Sequence, residues 1–247
     1  MFEQAIAIDR HYGPALAWAA TCHQLLVTNG WAAALETNRH KATDLARQAL
    51  QVAENDAGVL ANAALVLAFF GEDIGAMIGL VERALALNPS YARGWLLSGF
   101  IRTFAGQHDL AIEHIETSLR LSPRDRVSTP LLGLGTAYFS KRRFDEAAAK
   151  LLLSIQDQPG HPGSYRFLAA CCAHMGRLDE ARAIVARLRT TGTPKRYWVF
   201  NMAEALRAAG YAVHVMPFER LDDVRRYRWR AAFHRATSFS TQRRLTL

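Results

Sequence analysis

The strongest constraint on this chain is a self-similarity with a fixed step. The segment Glu82 to Pro89 (ERALALNP) recurs as Glu116 to Pro123 (ETSLRLSP), 34 positions later. A step of that size marks one supersecondary unit that cannot bury its apolar face alone and therefore stacks on copies of itself. After Pro89 the marks are Trp95, Gly99, Gly106, Ala111, Ile115, Ser118 and Pro123. The next copy carries Gly133, Phe144-Asp145-Glu146-Ala147, Leu151 and Pro159, and another carries Tyr165, Leu168, Ala169, Gly176, Ala181 and Val185. Upstream, Leu65, Gly71, Ile74 and Ala84 lead to Pro89. A degenerate unit from about Tyr12 to Asn55 carries an extra loop of about ten residues around Thr28–His40. The unit between Pro123 and Pro159 spans 36 residues, two more than the 34-residue step.

Each unit reads as two helices, A then B. Small residues (Gly99 with Ala111, Ala169 with Ala181) fall where the helices must approach closely. Gly71, Gly106 and Gly176 suit the left-handed turn that ends helix A. Asp73, Asp109, Asp145 and Asp179 suit the positive end of helix B. Pro89, Pro123 and Pro159 stop helix B. In Ser128-Thr129-Pro130, Thr129 is expected to cap a helix whose first residue is Pro130.

The order Trp, Gly, Gly, Ala, aliphatic, small, Pro at these offsets resembles the tetratricopeptide repeat. The resemblance implies an all-α fold: a right-handed superhelical solenoid of antiparallel helix pairs, about five units with the first one partial, over residues 1–195. A C-terminal helix and connection are expected over 196–223, with the helix near Tyr197–Ala209, and a basic disordered tail over 224–247. The stretch Arg120–Asp125, Gly133–Phe139 and Arg143–Ala147 looks like the C-terminal repeat regions of bacterial class III adenylate/guanylate cyclases and of winged-helix regulators. That likeness covers about residues 1–190 and fades after Thr190, with Ala205–Tyr211 a partial echo. Since no part of a cyclase catalytic domain is present, no catalytic residue carries over. Phe2–Asp9 reads like the end of a helix B, matching Val81–Asn88. The expectation is a piece of a longer gene product or a late start codon, the alternative a degenerate terminal cap.

Composition narrows the function. The formal charge is +8, but seven arginines and no acid follow Val224, leaving 23 basic against 22 acidic residues in the rest. The basicity belongs to the tail, so nucleic acid is not expected as a partner except through it. Val59–Phe70, the longest nearly apolar run, is far shorter than the roughly 20 residues a membrane span needs, and no secretory signal opens the chain. With 3 cysteines, two of them adjacent, there is no disulfide framework, and the expected compartment is the cytoplasm. Neighbouring side chains on a helix point about 100° apart, so Cys171 and Cys172 read as small apolar packers rather than metal ligands. Gly133-Leu134-Gly135 lacks the third glycine of a dinucleotide loop. No catalytic residue, metal or cofactor is expected.

What remains is binding. In the resembled family helix A lines a concave groove, and its ligand-facing offsets fall here on Asn62, Val66, Phe69, Phe70, Arg93, Leu96, Phe100 and Phe104, then on Leu134, Tyr138, Arg166 and His174. The implied groove is apolar and aromatic, with Arg93 and Arg166 as cationic points, and lacks the Lys/Asn set that clamps chaperone C-termini. The alternative is that these rings pack between helices. The expected function is a non-catalytic protein–protein interaction or scaffold module binding a protein or peptide, the regulatory part of a signalling, cyclase-like protein. The alternative is a fragment of a transcriptional regulator that meets nucleic acid through the basic tail or a missing DNA-binding domain.

Overall fold

Helix follows helix from Phe2 to Thr190 in a computed structural model that describes residues 1–123, 127–190, 213–214 and 245–246. Five antiparallel pairs succeed one another: α2 (Gly13–Thr28) with α3 (Leu35–Val52), α4 (Ala57–Phe69) with α5 (Ile74–Leu87), and α6 (Ala92–Phe104) with α7 (His108–Leu121). Then come α8 (Ser128–Ser140) with α9 (Phe144–Asp157), and α10 (Pro162–His174) with α11 (Leu178–Thr190). Before them α1 (Phe2–Ile8) packs on α2 as the B helix of a preceding unit would, burying none of its own residues. Beyond the helices, β1 (Val213–His214) pairs in parallel with β2 (Leu245–Thr246). The helix expected near Tyr197–Ala209 and the rest of the basic tail lie outside the described residues.

The pairs stack into an all-α solenoid. Each A helix packs on its own B helix, on the preceding B helix and on the A helix of the next unit, whereas among the described residues no B helix makes a comparable contact with another B helix. A stack that closes on one side and opens on the other must curve, and the A helices form the inner wall. The core runs between the layers, with Ala20, Ala46, Leu60, Val66, Val81 and Ile101 in one cluster and Leu151, Leu168, Cys171, Cys172 and Leu188 in another.

Local chemistry sets the unit boundaries. Helices α5, α7 and α9 end two residues before Pro89, Pro123 and Pro159, because the residue before a proline disfavours the α conformation. Each A–B turn passes through one left-handed residue, at Gly30 (φ 74°), Gly71 (88°), Gly106 (76°), Arg142 (61°) and Gly176 (77°). The inter-unit turns are tied by an aromatic polar tip, as Trp95 Nε1 donates to the Pro89 carbonyl (2.8 Å) and Tyr165 Oη to the Pro159 carbonyl (2.9 Å). Asp56 and Asp73 accept from the backbone N–H groups of Val59 and Ala76, capping α4 and α5. Asp109, Asp145 and Asp179 stand inside the first turn of their helices.

Two expectations are corrected. The extra residues of the first unit lengthen the helices, to 16 residues in α2 and 18 in α3, and leave only 29–34 as the connection. Thr129 does not cap α8, which begins at Ser128. The Ser128 N–H donates to Asp157 Oδ2 (3.0 Å) and its hydroxyl to Gln158 (2.9 Å), so the end of α9 satisfies the start of α8.

Candidate peptide-binding wall

Three successive A helices meet in a polar ladder on the inner wall. The amide of Asn62 on α4 is buried and its Nδ2 donates to the Gly58 carbonyl (2.7 Å). Its Oδ1 accepts from Arg93 of α6 through Nε (3.2 Å) and Nη2 (2.9 Å). The Arg93 guanidinium in turn lies over the Trp18 ring of α2, 4.5 Å from its centroid, and Trp18 keeps 36% of its surface exposed. Burial pulls the Arg93 pKa down and pushes that of Tyr91 up, with Arg93 and Asn62 beside the phenol partly opposing the rise. A cleft of about 380 Å³ lies beside this ladder, lined in part by Asp56, Gly58, Asn88 and Tyr91.

A second level is aromatic. Phe69 closes α4 and Phe104 closes α6, their centroids 6.5 Å apart, and Phe70 sits edge-on to Phe69 at 5.1 Å. Phe104 is 49% exposed, so this pair spans two units and remains open to solvent on one side. Arg39 reaches over the Phe70 ring (6.0 Å) and donates to the Phe70 carbonyl (3.4 Å).

Other expected site residues lie deeper. Val66 has no exposed surface and belongs to the core, packed in the cluster shared by α2 to α6; it does not line a groove. Leu96 and Leu134 are buried with Ile115, and Phe100 and Tyr138 pack half-buried against that cluster. A Cβ on Gly133 would sit 3.3 Å from the Phe100 ring, so Phe100 fills the α6–α8 contact. Tyr138 carries Arg143 over its ring at 4.8 Å. His174 stacks on Phe144 (4.3 Å) and meets Phe139 edge-on (5.5 Å), and burial lowers its pKa. Arg166 is buried on α10, and desolvation pushes its pKa down to about 10.

The structure thus brings Asn62 to Arg93, Phe69 and Phe70 to Phe104, and Leu96, Phe100, Leu134 and Tyr138 into one cluster, while Arg166 and His174 stand in the last unit. Trp18, which sequence reasoning missed, is the sixth residue of α2 as Asn62 is of α4; counting from each helix start exposes the match. Cys171 and Cys172 are buried in the core, and burial raises the Cys171 thiol to about 12. No group of three metal-ligating side chains occurs among the described residues, and none of their helices is long and apolar enough to cross a membrane.

A solenoid of helix pairs whose A helices line one wall defines a helical-repeat protein. Residues 102–162 and 138–198 match models of the tetratricopeptide repeat, so this stretch of the chain carries tetratricopeptide repeats. TTC0263, a thermophilic tetratricopeptide protein of Thermus thermophilus, shares the fold, with a TM-score of 0.60 and 21% identity over 69% of this chain and 92% of that one. MamA (41-end) from Desulfovibrio magneticus RS-1 is similar at a TM-score of 0.49 and 15% identity, over 70% of this chain and 94% of its own. The mouse Superkiller complex protein 3 is 29% identical over 150 residues, 59% of this chain, and this chain spans 9% of the length of that relative. Tetratricopeptide repeats mediate protein interactions.

Proposed function

We propose that this chain is a non-catalytic scaffold that holds a peptide or helix of a partner protein along its A-helix wall. The observation that carries this reading is the solvent-open aromatic pair Phe69–Phe104, which bridges two units above the Trp18–Arg93–Asn62 ladder. Rings of this kind supply large contact area at little entropic cost, and an arginine already held by its neighbours supplies directional polarity. Random dodecapeptides displayed on phage and selected on the full chain test it. Selected peptides lose affinity for Phe104→Ser and Arg93→Glu but keep it for Leu152→Ser, an exposed position of α9. Equal loss at Leu152→Ser places the partner elsewhere and defeats the proposal.

The setting belongs to the same proposal. The likeness of Arg120–Ala147 to cyclase repeat regions motivates a regulatory, cytoplasmic role. A cyclase catalytic domain or a winged-helix domain encoded upstream in the same reading frame distinguishes the two settings weighed from sequence.

A further inference from the structure

Three arginines of the A helices are withdrawn from solvent, and they are treated differently. Arg102 is neutralised by Glu82 (2.7 Å) and further held by Gln107 (2.6 Å). Arg93 spends its donors on Asn62 and its face on Trp18. Arg166 has neither. It is 7% exposed, makes no hydrogen bond or ion pair with the described residues, and its Nη1 is sealed without a partner among them.

A buried cation without a counter-charge is costly, and arginine does not escape by losing its proton at neutral pH. The surroundings deepen the asymmetry. A helical side chain leans toward the N-terminus of its own helix, which carries Arg166 over the first turn of α10. That turn has no side-chain cap at His161, so its backbone N–H groups and the positive helix end add to the same field. The His161 imidazole feels the guanidinium charge and is held below its ordinary pKa, mainly by burial. The nearby Ser164 hydroxyl is already committed to Ser154 (2.7 Å).

We propose that Arg166, with the uncapped first turn of α10, is a receptor for an aspartate or glutamate side chain of the partner peptide. The inference rests on the scaffold reading above and names the chemistry of its partner. A planar guanidinium presents paired N–H donors that match a carboxylate, and a charge-assisted pair in a water-poor site is stronger than the same pair at the surface. The acid is supplied by the partner and seats in the last unit, so the peptide runs the length of the wall from the Phe69–Phe104 rings to α10.

Phage selection of the same dodecapeptides on the full-length wild type and on Arg166→Met tests this, with Arg166→Gln as a second variant and far-UV circular dichroism to confirm the fold of each. The seven tail arginines are common to all three proteins and cancel in the comparison. Peptides selected on the wild type are expected to be enriched in Asp and Glu relative to those selected on the variants. The best acidic peptide is expected to bind the wild type about 10-fold or more tighter than its Gln analogue, with the ratio falling toward one for both variants. Without peptide, Arg166→Met holds or raises Tm, because it removes an unpaired buried charge. Equal acid preference in wild type and variants overturns the inference and leaves the scaffold reading standing. Failure to select any peptide defeats both. A clear fall in Tm for Arg166→Met means that the guanidinium already has a partner within the chain, which also overturns it. So does a thermal shift with inorganic phosphate that is lost in Arg166→Met while the selected peptides show no acid preference, since the site then takes a free anion.

Discussion

Adding one methyl group at Gly99 tests the helix crossing inside the third unit. A Cβ built there lies 2.3 Å from Cγ1 of the fully buried Ile115 and 3.0 Å from the Ala111 carbonyl oxygen. Contacts that short force α6 away from α7 or push Ile115 off its rotamer, and overpacking of this kind costs about 1–3 kcal/mol. Against that, replacing a mid-helix glycine by alanine gains about 0.5–1 kcal/mol in backbone entropy. Gly99→Ala should therefore lose about 1 kcal/mol net and Gly99→Leu about 2–3 kcal/mol. Gly79 on α5 is the control, because a Cβ there meets nothing within 4 Å. Gly79→Ala keeps only the entropic gain of about 0.5–1 kcal/mol. The two alanine variants are thus separated by about 2 kcal/mol, or about 4–8 °C in Tm for a chain of this size. Thermal melts followed at 222 nm, read on the shared transition, measure the gap. Gly99→Ala melting at or above Gly79→Ala would refute the close crossing and the helix register built on it.

Arg142 holds φ 61° where the other four A–B turns have glycine, so Arg142→Gly should stabilise by about 1 kcal/mol in urea titrations. Phe100 is half-buried against Leu96, Ile115 and Leu134, so Phe100→Ala should cost about 2 kcal/mol, below the roughly 3–5 kcal/mol of a fully buried ring. The folded-state pKa values of His114, His161 and His174 are lowered from 6.5, chiefly by burial. The unfolded chain therefore binds more protons, and the stability present above pH 6.5 is lost as pH falls from there through the depressed folded values. His161→Gln should flatten that part of a Tm-against-pH curve, and an unchanged slope would assign the loss to other groups.

Much of the fold was legible because its signals are local. Prolines that end helices, glycines that take φ > 0 and small residues at crossings each act within one turn of the chain, so Pro89, Gly106 and Gly99 announced their structures directly. The start of α8 was not legible, since it depends on Asp157 and Gln158, about thirty residues away. Nor was the turn at Arg142, where flanking helices impose a conformation its side chain disfavours. The site was harder still. In α4 every residue but Asn62 is apolar or glycine, so periodicity has no polar face against which to orient it, and Val66 inside looks like Leu65 at the edge. The insertion in the first unit hid Trp18 by shifting its register relative to Asn62. Arg93 and Arg166 read alike as cations on a helix A, and only packing distinguishes the one held by Asn62 from the one without a counter-charge among the described residues.

The claim that the A helices form the partner surface is tested most directly by photo-crosslinking. A phage-selected peptide carrying a benzophenone at its centre is bound to the full chain, irradiated, and its attachment points are mapped by mass spectrometry. Cross-links on Trp18, Phe69, Phe104 and other inner-wall positions of α2, α4, α6, α8 and α10 are the predicted result. Cross-links confined to exposed positions of the B helices, such as Leu110 on α7 or Leu152 and Leu153 on α9, would contradict it.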